Sequence, residues 1–189
     1  MDFGLTNKRA FVGGGSRGIG KAIAIELAKE GCDVVIASRT QSSLEETSKE
    51  IEDLTGRRII PLALDVTSRE QVDSTMAEGV QQLGGLDILV NSASLPGGSR
   101  SAVGPIDGLD EDALLSDFDT KYVGALRCAR AANDTVLTRK VWPVRIRPNI
   151  DFFSGQVASF LGLNKQLALL LNCPVSVDRN LFTSFPLAS

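Results

Sequence analysis

The sequence contains no histidine. That absence removes Ser-His-Asp and Cys-His catalysis, histidine general acid–base chemistry and every histidine-containing metal site. Cysteine is scarce as well. Cys32, Cys128 and Cys173 are odd in number and far apart, which argues against a disulfide framework or a thiolate cluster, so no metal is expected. Cys32 and Cys128 lie in apolar segments and read as buried structural thiols, a usage that fits a reducing cytoplasm. The longest apolar region, 157–171, is interrupted by Asn164, Lys165 and Gln166 and reads as an internal helix, not a membrane span. Residues 1–5 are too polar and too short for the apolar region of a signal peptide. Charge of one sign is lacking too. A formal net charge of −3 gives no general attraction to nucleic acid or to an anionic membrane.

What is present is alternation. At 189 residues a single domain over 1–189 is expected, well patterned through residue 155 and atypical over 156–189. The pattern predicts strands at 9–12, 33–38, 59–64 and 86–90. It predicts helices at 18–30, 42–54 and from the capping stretch Asp65-Val66-Thr67-Ser68 to Leu83. Val34-Val35-Ile36-Ala37 is apolar on consecutive residues, as a strand covered on both faces requires. Pro61 weakens the third strand. Four strand–helix units of this length imply a doubly wound parallel sheet with helices on both faces, an α/β Rossmann fold.

Residues 95–108 are rich in Gly, Pro and Ser and read as a loop. A helix is expected over 111–133, with Phe118, Tyr122 and Leu126 at helical spacing. Beyond Thr135 the pattern loosens. Residues 139–148 are basic with two prolines, 150–153 is a candidate fifth strand, 156–171 a candidate helix, and 173–189 an apolar tail.

The densest signal is Val12-Gly13-Gly14-Gly15-Ser16-Arg17-Gly18-Ile19-Gly20, between the first strand and its helix. Glycines allow the chain to turn tightly and approach a pyrophosphate, and the helix N-terminus offers unpaired N–H groups and a positive dipole end. Gly14, Gly18 and Gly20, with Ser16 and Arg17 between them, resemble the glycine turn of the short-chain dehydrogenase/reductase family. Asp65-Val66 resembles that family's adenine-side pair. Asn91-Ser92-Ala93-Ser94 is similar to its Asn-Asn-Ala-Gly motif, and Ser154 falls in the catalytic serine segment. Gly13 stands where the family usually has threonine.

The resemblance implies a cofactor site at Gly14, Ser16, Arg17, Gly18, Ile19, Gly20, Ser38, Arg39, Thr40, Asp65, Val66, Asn91, Ser92 and Ala93. NAD-binding members carry an acidic residue at the end of the second strand for the ribose 2′-OH; here Ser38-Arg39-Thr40 stands there. A guanidinium attracts a 2′-phosphate and can bind two of its oxygens, so NADP(H) is the expected cofactor, with Arg17 as the other jaw. For Asp65 an adenine contact and a helix cap are both open, and for Asn91 a crevice ligand and a bridge between strands.

The family's proton chemistry rests on a Tyr-x-x-x-Lys motif after the serine, and this sequence lacks it. The corresponding positions are Leu167 and Leu171, and the one tyrosine is Tyr122. Relative to the family the C-terminal part is expected to be shortened or incomplete. Ser154 would orient a carbonyl, and Lys121, in the place of a family asparagine, or Lys165 would assist with the proton. Lys121 reads equally as a residue whose stem lies on apolar surface with its head in water. The resemblance implies an NADP(H)-dependent oxidoreductase acting on a small-molecule carbonyl or alcohol, with homo-oligomers as the family habit. The alternatives are a catalytically inactive NADP(H)-binding sensor or interaction protein, or another nucleotide-fold enzyme such as a methyltransferase, which the 14–20 spacing and Arg39 disfavour.

Overall fold

Four strands form one parallel sheet in the computed structural model, which describes residues 3–94 and 106–136. They are β1 (Arg9–Gly13), β2 (Asp33–Ser38), β3 (Ile59–Ala63) and β4 (Ile88–Asn91). Their spatial order is β3-β2-β1-β4, so the chain moves outward from β1 on one side and then returns to its other side. Three helices make these connections: α1 (Gly18–Lys29), α2 (Gln41–Thr55) and α3 (Arg69–Leu83). After β4 come a short 3₁₀ turn at Ile106–Gly108, then α4 (Glu111–Phe118), a π-helical turn at Asp119–Val123 and α5 (Gly124–Val136).

The sheet is covered on both faces, which explains the unbroken apolar strands. Val34, Val35, Ile36 and Ala37 are all fully buried. Alternate residues then divide between two layers. Phe11, Val35 and Ala37 pack with Val72 and Met76 of α3 and Cys128, Ala131 and Ala132 of α5. Val12, Val34 and Ile36 face the other way, toward α1 and α2, whose Leu27, Leu44 and Ile51 are fully buried. In α2 the buried residues Leu44, Thr47, Ser48 and Ile51 recur at the spacing of one helical face, so a mostly polar helix still has an inward stripe.

Several boundaries differ from the sequence expectation for local reasons. The fourth strand starts at Ile88, not residue 86; just before it the Asp87 side chain accepts from the Arg9 backbone N–H at 3.0 Å and Nε at 2.7 Å. It extends to Asn91, whose register partner on β1 is Gly13. Pro61 is accommodated because β3 pairs with β2 alone among the described strands. The cap of α3 is Ser68, whose side chain accepts from Gln71 N–H, and not Asp65. The helix expected over 111–133 is present and runs on to Val136 with a π turn within it, but Phe118, Tyr122 and Leu126 stand 52%, 40% and 36% exposed, on an outward face. Cys128, Ala131 and Ala132 supply the inward contacts instead.

Cys32 and Cys128 are buried, as expected, and neither forms a disulfide among the described residues. Burial pushes the Cys128 thiol up to about 11, which leaves it unreactive. No helix among the described residues is long and apolar enough to cross a membrane. The expected strand at 150–153, the helix at 156–171, the tail, the basic segment 139–148 and Cys173 lie outside the described residues, as do 95–105 of the expected loop.

Candidate nucleotide site

Because the strands are parallel, the residues that follow each of them emerge at one edge of the sheet. That edge gathers the glycine turn after β1, Ser38-Arg39-Thr40 after β2, Asp65-Val66 after β3 and Asn91-Ser92-Ala93 at the end of β4. The change of direction falls between β1 and β4, where an open α/β sheet leaves a crevice for a ligand.

The turn is held from two sides. Gly14 and Gly15 N–H groups both donate to the Ala37 carbonyl, at 2.7 and 3.2 Å, and Ser92 N–H donates to the Gly13 carbonyl at 2.8 Å. Gly14 has φ of +82°, and a Cβ there would come within 2.5 Å of the Ser92 carbonyl oxygen. A Cβ on Gly20 would strike the Gly14 carbonyl. Both positions therefore demand glycine, one for backbone conformation and close approach, the other for approach alone. From the far side, Thr47 of α2 donates its hydroxyl to the Ser16 carbonyl at 2.9 Å.

The start of α1 is bare. Arg17 is the N-cap residue, in extended conformation, with no side-chain cap bond, and the first turn holds no acidic residue. Arg17, Gly18 and Ile19 are exposed. These helix N–H groups and the dipole end suit an anion.

At the end of β2 the Ser38 hydroxyl is buried and lacks a hydrogen-bond partner among the described residues. Leaving a hydroxyl so costs on the order of 1–3 kcal/mol, unless a ligand satisfies it. Arg39 and Thr40 beside it are exposed, and Thr40 begins α2 without capping it through its side chain.

Asp65 Oδ1 accepts from Thr67 N–H at 2.9 Å and from the Thr67 hydroxyl at 2.7 Å. These two bonds hold the carboxyl below the usual carboxylate range; burial opposes them, and the charges of Arg39 and Arg127 reinforce them. Asp65 thus closes a tight turn ahead of α3 while Oδ2 makes no hydrogen bond among the described residues. Val66 is buried, with its carbonyl accepting from Arg127 at 3.2 Å and its side chain against Gly124, where an added Cβ would come within 2.8 Å. Asn91 is exposed and bridges no neighbouring strand through its side chain among the described residues.

Lys121 lies in the π turn. Its Nζ is 2.6 Å from Asp117 Oδ2, and the two side chains are only 16% and 8% exposed. The reading of Lys121 as a head in water is therefore corrected: the charge is turned inward onto a carboxylate. Asp117 Oδ1 is also buried and without a hydrogen-bond partner among the described residues. Asp117 and Thr47 were not apparent as site residues in the sequence. The four-residue spacing of Asp117 and Lys121 was the available signal for one, and the inward stripe of α2 for the other. Ser154 and Lys165 lie outside the described residues. No group of three or more candidate metal ligands occurs among the described residues.

The glycine cradle, the uncapped helix and the orphaned Ser38 hydroxyl together fit a dinucleotide with an anionic pyrophosphate. Residues 8–141 match the family model for short chain dehydrogenases. L-sorbose reductase from Gluconobacter frateurii, solved with NADPH and L-sorbose, is 32% identical with a TM-score of 0.66. That match covers 74% of this chain and 51% of the reductase. An uncharacterised oxidoreductase of Staphylococcus aureus is 37% identical over 133 residues, 70% of this chain and 54% of that protein. The peroxisomal 2,4-dienoyl-CoA reductase of Danio rerio is 40% identical over 90 residues, 48% of this chain and 30% of the relative. The chain thus matches between about a third and half of the length of these relatives.

Proposed function

The chain belongs to the short-chain dehydrogenase family, and on that premise we propose that it binds NADP(H) and acts as an oxidoreductase on a small carbonyl or alcohol. The observation that carries the reading is the buried Ser38 hydroxyl, without a hydrogen-bond partner among the described residues, beside exposed Arg39 at the same sheet edge as the bare N-terminus of α1. A carboxylate in that place would repel a 2′-phosphate. A hydroxyl and a guanidinium receive one.

Each residue then has a part. The N–H groups of Gly18, Ile19 and Gly20 and the dipole of α1 would hold the pyrophosphate, with Ser16 lining the turn. Arg17 and Arg39 would take the 2′-phosphate, with Ser38 and Thr40 adding hydroxyls. Asp65 would accept from the adenine amino group through the oxygen that Thr67 does not use, with backbone contacts from Val66. Asn91, Ser92 and Ala93 would line the crevice beside β1. The chemistry brought by NADP(H) when bound is hydride transfer to or from a carbonyl carbon.

On the substrate side Ser154 would orient the carbonyl. Lys121 would hold a proton at Nζ, working from its pair with Asp117. The domain is proposed to be single over 1–189 and the protein cytoplasmic, without a resident metal, nucleic acid or membrane partner, and to form homo-oligomers. A second reading, a nucleotide-binding protein without turnover, is favoured by one observation: Leu167 and Leu171 occupy the positions of the family's tyrosine and lysine.

Titration of the chain with NADPH and NADH tests the cofactor, and NADPH oxidation with a panel of carbonyl compounds tests the reaction. NADPH is expected to bind more tightly than NADH. Arg39→Ala should weaken NADPH by roughly tenfold or more, as for a hydrogen bond to a charged group, and leave NADH within about twofold. Equal losses for the two nucleotides would remove Arg39 from the phosphate. Tight NADPH binding without turnover would select the second reading.

A further inference from the structure

We propose that Thr47, on α2, is a positioning residue that holds the second half of the glycine turn and sets the separation of Arg17 and Arg39. The inference rests on the cofactor reading above. Thr47 is only 4% exposed, so its hydroxyl sits at a core position where it needs a partner. That partner is the Ser16 carbonyl. The peptide group so anchored is the one that carries the Arg17 N–H, at the entry to α1.

Among the described residues the bonds from the neighbouring strands hold only the first half of the turn. Gly14 and Gly15 are bonded to Ala37, and Gly13 has no side chain to contribute. Arg17 caps nothing with its own side chain. Thr47 therefore fixes what the rest of the turn leaves loose. A second link lies one helical turn further on, where Lys21 Nζ of α1 meets Glu50 Oε2 of α2 at 2.6 Å. Arg39 and Thr40 lead directly into α2. One rigid helix thus carries Arg39 at its entry and grips the Arg17 peptide at Thr47. The spacing of the two guanidinium groups, and with it selectivity for a 2′-phosphate, depends on that grip.

Two substitutions in the full chain separate the hydroxyl from the packing. Thr47→Val keeps the shape and removes the donor; Thr47→Ser keeps the donor. Thr47→Val is expected to weaken NADPH binding by about 3- to 10-fold, the effect of one lost hydrogen bond, and NADH binding by less. Thr47→Ser should stay within about twofold of the parent for both. Without nucleotide, amide hydrogen exchange at residues 18–20 should accelerate in Thr47→Val and not in Thr47→Ser. A double-mutant cycle with Arg17→Ala should show the two losses to be non-additive. Equal weakening of both nucleotides, or a serine variant as impaired as the valine one, would overturn the positioning role in favour of core packing. Parent protein that binds neither nucleotide would overturn the cofactor reading. Unchanged exchange in Thr47→Val would then overturn the tie itself.

Discussion

At the C-terminal edge of the sheet, Gly14 sits within van der Waals reach of the Ser92 backbone, and three N–H groups close the turn onto neighbouring strands. Along residues 111–136 the backbone is also helical and hydrogen-bonded, yet a π turn interrupts it and Leu115, Phe118 and Tyr122 point outward. In the first region the opening half of the turn is confined by a left-handed φ, a carbonyl and a fully buried strand. In the second, one face packs through small residues onto α3 and the sheet, while the other is exposed, with the Phe118 and Tyr122 rings stacked on each other at 4.8 Å. A turn of this kind is specified by sterics. A helix of that kind is specified by whichever face its neighbours accept.

The sharpest way to break the contrast is at Gly14. Gly14→Val adds a clash with Ser92 and an unfavourable φ, and is expected to cost about 3–5 kcal/mol in urea unfolding and to abolish NADPH binding. A cost below about 1 kcal/mol would show that the turn yields more readily than its geometry implies.

Next comes the one charged pair buried in the helical arm. Lys121→Met leaves Asp117 as an uncompensated buried carboxylate, an expected loss of about 3 kcal/mol. The double variant Lys121→Met with Asp117→Leu should recover more than half of that loss. If the two losses simply add in urea titrations, the pair contributes nothing as a pair.

Acid sensitivity should belong mainly to the sheet. Burial alone would raise Asp87, but the Arg9 hydrogen bonds outweigh it and hold the carboxyl below its ordinary range; Asp65 is held low by Thr67. For carboxyls lowered in the folded state, the stabilisation is complete above the unfolded value of about 4 and is lost as pH falls through the folded value. Stability measured downward from neutral pH should therefore decline below about pH 4, and Asp87→Asn should flatten that decline while lowering the plateau. An unchanged slope would assign the acid loss elsewhere. The smallest effect is expected at Leu115, 65% exposed: Leu115→Gln should change stability by no more than about 0.5 kcal/mol.

The parts of the fold that were legible in the sequence share a short-range cause. The second strand is bounded at Asp33 and Ser38 as its pattern predicts, because a short, mostly β-branched run apolar at consecutive positions suits a strand covered on both faces. The glycine turn was legible because a missing Cβ is a steric statement that the sequence makes directly. The apolar spacing of Phe118, Tyr122 and Leu126 showed a helix but not its orientation. Periodicity marks a face without saying whether core or solvent meets it. Asp87 and Asp117 were no more legible, since Arg9 is distant in sequence and the burial of Asp117 depends on the surrounding fold.

Sequence alone determined the order of strands and helices, the glycine cradle, the lack of an acidic residue after the second strand and the absence of histidine chemistry. These follow from local sterics and residue chemistry, which no distant contact alters. Tertiary structure decided the rest: the return of β4 beside β1, the turn of Lys121 inward onto Asp117, the orphaned hydroxyl of Ser38 and the bond from Thr47 to Ser16. Each depends on two segments far apart in the chain meeting at one place. That meeting is set by how the faces of the whole sheet are buried, not by the residues on either side of it.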